Sequence, residues 1–169
     1  MFQINKREML LICISVGAVT LSLTAFALPQ DKKEVLHVVA DITTYDYKKG
    51  LNYYEGHVQV DQGSTHLTAD RMTTKSSNKH RIEEAIAYGI NAPAHYWTTP
   101  NAGEEVVDAY GKVIKYYPET RNTTLQGDVV ITQGQNNFHG QLIHYNMNDQ
   151  TIIVPETKNG RAVLVYDAN

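Results

Sequence analysis

An octapeptide occurs twice in this chain, 71 positions apart. Gly56 to Gly63 reads GHVQVDQG and Gly127 to Gly134 reads GDVVITQG, both fitting G-x-V-x-V/I-x-Q-G. The register continues without gaps on either side, pairing Ile42 with Val113, Tyr45 with Tyr116, Leu67 with Phe138, Ala69 with Gly140 and Met72 with Ile143. A match that keeps turn glycines and apolar alternation together implies two copies of one structural unit. Alternate residues of a strand share a face, so Val58 goes with Val60 and Val129 with Ile131. The flanking glycines permit a bend or bulge where the chain turns a corner.

The sequence around these units has the same character. From Val35 onward it is rich in Val, Ile, Tyr and Thr, alternates apolar with polar, and meets turn residues every eight to twelve positions. Short antiparallel strands follow over Val35–Val39, Ile42–Tyr47, Asn52–Val60, Thr65–Ala69, Arg71–Lys75, Ile82–Ala87, Ala94–Thr98, Glu105–Ala109, Lys112–Tyr117, Thr123–Thr132, Asn136–Gly140, Leu142–Asn146, Thr151–Val154 and Arg161–Tyr166. Lys49-Gly50, Ser77-Asn78, Asn148-Asp149 and Asn159-Gly160 suit the turns between them. One segment is ambiguous. Ile82, Ala85, Ile86 and Gly89 fall at helical spacing, and Glu83-Glu84 favour helix, but strands on both sides argue for a strand. The expected class is all-β.

Residues 1–27 read as an export signal. Lys6 and Arg7 precede an apolar run from Met9 to Leu23, and Ala25-Phe26-Ala27 offers small residues for cleavage after Ala27. The competing reading is an uncleaved membrane anchor, which Ser15, Thr20, Ser22 and Thr24 disfavour. Cleavage removes 27 of 169 residues and leaves 142, a single domain spanning 28–169. Cys13, the sole cysteine, departs with the signal, which excludes disulfides, thiol catalysis and zinc–thiolate sites afterwards. Lys6, Arg7 and Glu8 leave too, so 15 basic and 18 acidic residues become 13 and 17. A net charge near −4 is no nucleic-acid footprint, and no nucleic-acid partner is expected.

Motifs for catalysis are lacking. The sequence has no G-x-S-x-G elbow, P-loop, G-x-G-x-x-G or H-E-x-x-H, and nothing calls for a cofactor. The histidines (His37, His57, His66, His80, His95, His139 and His144) are scattered, and the odd offset between His139 and His144 would put them on opposite faces of a straight strand. Neither a metal site nor an enzyme is expected. Asp41 and Asp70, each after an alanine, read as caps that bond local backbone amides at strand ends. The eleven tyrosines read mostly as strand filler.

The order Leu36-His37-Val38, Ala40-Asp41, the first octapeptide, Leu67-x-Ala69-Asp70, Ala87-Tyr88-Gly89 with Pro93-Ala94, Leu125-x-Gly127 and Gly140-x-x-Ile143-x-Tyr145 resembles the LptA, or OstA-like, family of lipopolysaccharide-export proteins. The resemblance spans about Val35 to Tyr166. It implies an open, slightly twisted antiparallel β-jellyroll, here of two similar halves, and a periplasmic bridge that binds the lipid A portion of lipopolysaccharide. It further implies contacts with LptC and LptD-like proteins, head-to-tail self-association, and an ATPase on another subunit. The second half departs by carrying Gly140-Gln141 where the first has Ala69-Asp70. Two rival readings stay open: a membrane-anchored LptC-like component of the same system, and a metal-dependent β-sandwich enzyme.

Alternation then nominates an inward, lipid-contacting set: Leu36, Val38, Val58, Val60, Leu67, Val113, Leu125, Val129, Ile131, Phe138 and Ile143, with Met72 and Tyr96 as adaptable members. The terminal strands Val35–Val39 and Arg161–Tyr166 would leave unpaired backbone groups that template another chain.

Overall fold

The computed structural model describes residues 34–77, 81–99, 102–146, 151–156 and 163–165. The expected signal peptide lies outside them, as do the ends of the last expected strand. Twelve strands, all pairing antiparallel, form one hydrogen-bonded network: β1 His37–Val39, β2 Ile42–Asp46, β3 Leu51–Gln62, β4 Thr65–Ser76, β5 Ile82–Tyr88, β6 Ala94–Thr98, β7 Val107–Gly111, β8 Val113–Tyr117, β9 Asn122–Gln133, β10 Asn136–Asn146, β11 Thr151–Ile153 and β12 Val163–Val165. The ambiguous segment is the strand β5, because Arg71 to Ser76 on one side and Val113 to Tyr116 on the other satisfy its backbone.

Four long strands carry the architecture, each bending midway and pairing differently on either side of the bend. β3 pairs with β2 through residues 51–55 and with β1 through 59–61. β4 pairs with β6 through 66–68 and with β5 through 71–76. β9 pairs with β8 through 122–126 and with β7 through 130–133. β10 pairs with β12 through 137–139 and with β11 through 144–146. Two layers result. The first runs β2, β3, β4, β5, β8, β9, β10, β11; the second runs β1, β3, β4, β6, β7, β9, β10, β12. Ala87, Ile114, Leu125 and Ile143 of the first layer pack with Ala94, Ala109 and Val129 of the second, so the inner faces meet. This is the jellyroll that the resemblance implied, with the sheet folded over along a line of corners.

The corners explain the repeat. Between Glu55 and Val58, and again between Gln126 and Val129, one extra residue enters the strand against its partner. Gly56 and His57 hold φ of 74° and 45°, and Gly127 and Asp128 hold 78° and 50°. The hairpin glycines Gly63 and Gly134 match at 59° and 56°, as do Gly50 and Arg121 at 65° and 54°. Each of these four pairs is separated by the same 71 positions. Backbone amides of Asp41 and Lys112, also 71 apart, donate to the carbonyls of Gly56 and Gly127 at 2.9 and 3.1 Å. A Cβ on Gly56 would sit 2.2 Å from Asp41 Oδ2, and one on Gly127 2.8 Å from the Lys112 side chain, so sterics as well as φ demand glycine.

The repeat unit is therefore six strands: β1 to β4 recur as β7 to β10, and β5 and β6, which flank β4, recur as β11 and β12 flanking β10. Two expectations are corrected here. Thr65–Ala69 and Arg71–Lys75 are one strand, as are Asn136–Gly140 and Leu142–Asn146, because Asp70 and Gln141 mark bends and not ends.

Candidate apolar trough

Cross-strand register places the inward side chains in continuous rows. In the first layer Tyr54, Met72, Ala87, Ile114, Leu125 and Ile143 each stand directly opposite the next. All six are buried, Ile143 completely. In the second layer the row is Val38, Val60, Leu67, Tyr96, Ala109, Ile131, Phe138 and Leu164, again each opposite the next. Val58 and Val129, beside the corners, are 1% exposed and close the interior there. Farther from the corner Val60, Leu67, Tyr96, Ile131 and Phe138 pack on the core yet remain partly exposed. The inner faces are thus sealed along the corner line and accessible away from it, forming an apolar trough that runs across all eight strands of the layer.

Eleven of the thirteen nominated residues lie in the two apolar clusters: Val38, Val58, Val60, Leu67, Met72, Tyr96, Leu125, Val129, Ile131, Phe138 and Ile143. The other two do not. Leu36 precedes β1 and is 44% exposed. Val113 faces outward, because its neighbour Ile114 is the buried member of β8. The segment Val-Ile-Lys-Tyr-Tyr is apolar at both parities, and the signal that decides it is Lys115, whose charge must face water and takes Val113 with it. Sequence reasoning also missed Ala87, Ala94 and Ala109, whose small side chains line the interior without standing out in a hydrophobic pattern.

The first layer has a second inward row nearer its open end: Tyr45, Asn52, Thr74, Ala85, Tyr116, Thr123, Tyr145 and Ile152. Burial pushes the Tyr54, Tyr116 and Tyr145 phenols above the usual value, so they stay neutral. The trough is apolar at its floor and hydroxyl-bearing toward this margin.

Polar chemistry sits on the outside. His66 and His95 stack against Trp97, and His95 against Tyr110, with ring centroids 5.0, 4.4 and 4.1 Å apart. Carboxylates of Asp61 and Asp108 hold these two imidazoles at 2.6 and 2.8 Å. The His66 contact draws the Asp61 carboxyl below its ordinary value. At the corners, position 41 faces 57 as 112 faces 128: Asp41 meets His57 at 2.7 Å, and Lys112 meets Asp128 at 2.7 Å with the polarity reversed. Asp41 raises the His57 imidazole above its usual range, while Gln141, then Lys112, lowers Asp128. These side chains orient one another and none points into the trough.

Two further readings are corrected. Asp70 does accept backbone amides, at 2.5 and 2.7 Å, but from Ile90 and Asn91 across the corner instead of from its own turn. His139 and His144 both face outward, on different layers, because the bend between Gly140 and Leu142 resets the alternation. Among the described residues no three His, Cys, Asp or Glu side chains come together in a way that could hold a metal ion.

Comparison with known proteins agrees with this geometry. The family model described as LptA/(LptD N-terminal domain) LPS transport protein matches residues 37–151. The lipopolysaccharide export system protein LptH of Pseudomonas aeruginosa is 34% identical over 76% of this chain and 72% of its own. The export system protein LptA of Escherichia coli K12 is 24% identical over 97% of this chain and 87% of its own. The crystal structure of LptH, described as the LptA homologous periplasmic component of the conserved lipopolysaccharide transport device, superposes with a TM-score of 0.72 at 29% identity. It covers 82% of this chain and 99% of that one.

Proposed function

Because this chain belongs to the LptA/LptD N-terminal domain family of lipopolysaccharide transport proteins, we propose that it is a periplasmic, non-enzymatic carrier whose trough shields the acyl chains of lipid A between the inner and outer membranes. The observation that carries this reading is the row from Val38 to Leu164, apolar at every position and partly exposed at most of them. An ordinary core would bury that surface. Each methylene withdrawn from water is worth about 0.8 kcal/mol, so ten of them contribute roughly 8 kcal/mol with no need for exact polar contacts. Export follows from the N-terminal segment, cut after Ala27, leaving 28–169 as the working domain.

The joint between the two halves suggests how carriers connect. β5 pairs with β8 and β6 with β7, which sets the first unit beside the second. β11 and β12 repeat β5 and β6, while β2 and β1 repeat β8 and β7, and among the described residues these four have free outer edges. A second copy placed by the same rule sets its Tyr45 opposite Ile152 and its Val38 opposite Leu164, extending both inward rows. Leu164, 60% exposed, would be covered. Such head-to-tail contacts do not close. The same edges are the places where LptC and LptD-like partners would add a strand.

Lipopolysaccharide added to the purified domain should displace a fluorescent apolar probe. Phe138→Arg, which puts a charge in the trough at a partly exposed position, is expected to weaken binding at least tenfold while the domain stays folded. Undiminished binding by the folded variant would remove the trough from the mechanism.

A further inference from the structure

The outer face of the first layer carries a recess of about 360 Å³ beside β11. Its floor is two cross-strand rows of outward side chains. Tyr117, Asn122, Asn146 and Thr151 stand opposite one another in the first row, and Thr124, His144 and Ile153 in the second. Thr123 and Tyr145, which complete the lining, direct their side chains to the inner face, so β9 and β10 separate the recess from the trough. The first unit supplies an internal control. Seventy-one positions earlier the same outward places hold Asp46, Leu51 and Lys75 in the first row and Tyr53 and Thr73 in the second. There Lys49 meets Asp46 at 3.2 Å and Glu83 meets Lys75 at 3.7 Å. One backbone thus carries paired charges in the first unit and a hollow of carboxamide, hydroxyl and imidazole groups in the second.

Beyond the carriage of acyl chains, we propose that this recess is a binding site for an uncharged saccharide. None of its lining residues is Lys, Arg, Asp or Glu, so nothing there would balance a phosphate or a carboxylate. A sugar ring presents hydroxyls that both donate and accept, the complement of the Asn122 and Asn146 carboxamides and the Thr124 and Thr151 hydroxyls. Its C–H face needs an apolar surface, which the Tyr117 ring and Ile153, 59% exposed, supply. Thr124 Oγ1 and His144 Nδ1, 3.2 Å apart, fix the imidazole between the two rows. The volume lies in the range of small-ligand sites, roughly 300–1,000 Å³. A second copy joined as β8 is to β5 would set its Thr44 opposite Ile153, bordering the recess without filling it.

The test titrates tri-N-acetylchitotriose, a neutral sugar, into the isotope-labelled mature protein and follows the backbone amides by nuclear magnetic resonance. Saturable shifts are expected around Tyr117, Asn122, Asn146 and Thr151 and not around their first-unit counterparts. Asn146→Lys, which installs the first unit's residue, should weaken binding about tenfold by removing an amide hydrogen bond. Lys75→Gln, at the counterpart position, should leave it unchanged, and thermal melting confirms that both variants are folded. A saccharide on the lipid cargo and a free glycan offer the same groups, and lipopolysaccharide preloaded in the trough separates them. Displacement of the trisaccharide assigns the recess to the cargo's own sugar, joint binding assigns it to a free glycan, and either keeps the site. Absent or scattered shifts, or full affinity in folded Asn146→Lys, overturn the site and leave lipid carriage standing, because the trough lies on the other face. Binding that disappears as the protein self-associates overturns it too, by giving the recess to the neighbouring copy.

Discussion

Ile143→Ala is expected to cost about 2–5 kcal/mol of folding stability, by the lost transfer energy and the cavity left behind. Ile143 is fully buried where the layers meet, opposite Leu125 and packed with Ala87, Ile114 and Val129. Few neighbours can collapse into the gap, because β9 and β10 are pinned by pairing on both sides of their bends. Domains of this size are stable by only about 5–15 kcal/mol, so the melting temperature should fall by roughly 10 °C or more. Ile90→Ala, at a loop position 64% exposed, is the matched control and should stay within about 0.5 kcal/mol. Thermal unfolding followed by circular dichroism measures both, and similar shifts for the two would mean that Ile143 is not at the centre of the core.

The second large effect concerns assembly. Ile153 and Leu164 are 59% and 60% exposed, so Ile153→Asp and Leu164→Asp together leave the isolated fold intact. In a joint that copies β5–β8 and β6–β7, Leu164 turns inward against the next molecule's Val38, while Ile153 lies on the outer face beside the seam. Burying the carboxylate at position 164 without a partner costs several kcal/mol, enough to lower self-association by 100-fold or more. Sedimentation velocity over a range of concentrations should show wild type growing into longer species and the double variant remaining monomeric. If the two sediment alike, these strands are not the docking edges.

Much of this was legible in the sequence, and the reasons are physical. The octapeptide reports a corner, a position where two successive residues take positive φ and where Asp41 or Lys112 crowds the glycine. So strict a local demand leaves a strict local signature. Alternation from Val58 to Val60 gave their inward direction because polar Gln59 separates them, and the matching register of the second copy gave that of Val129 and Ile131, which flank an apolar Val130. The layers were not legible. In the twelve-residue strand β4 the inward positions change phase between Ala69 and Met72, and nothing in its sequence announces that Leu67 pairs with Tyr96 while Met72 pairs with Ala87. Those partners come from distant segments, and Asp70, read as a local cap, turned out to tie a loop twenty residues away.

Site-specific photo-crosslinking to lipopolysaccharide in living cells tests the central claim most directly. A photoreactive residue at Val60 or Phe138, on the trough row, is predicted to capture lipopolysaccharide. The same residue at Gln59 or His139, one position away on the outer face, is predicted to capture none. Equal capture from both faces, or capture from the outer face alone, would contradict a carrier that holds its cargo between the layers.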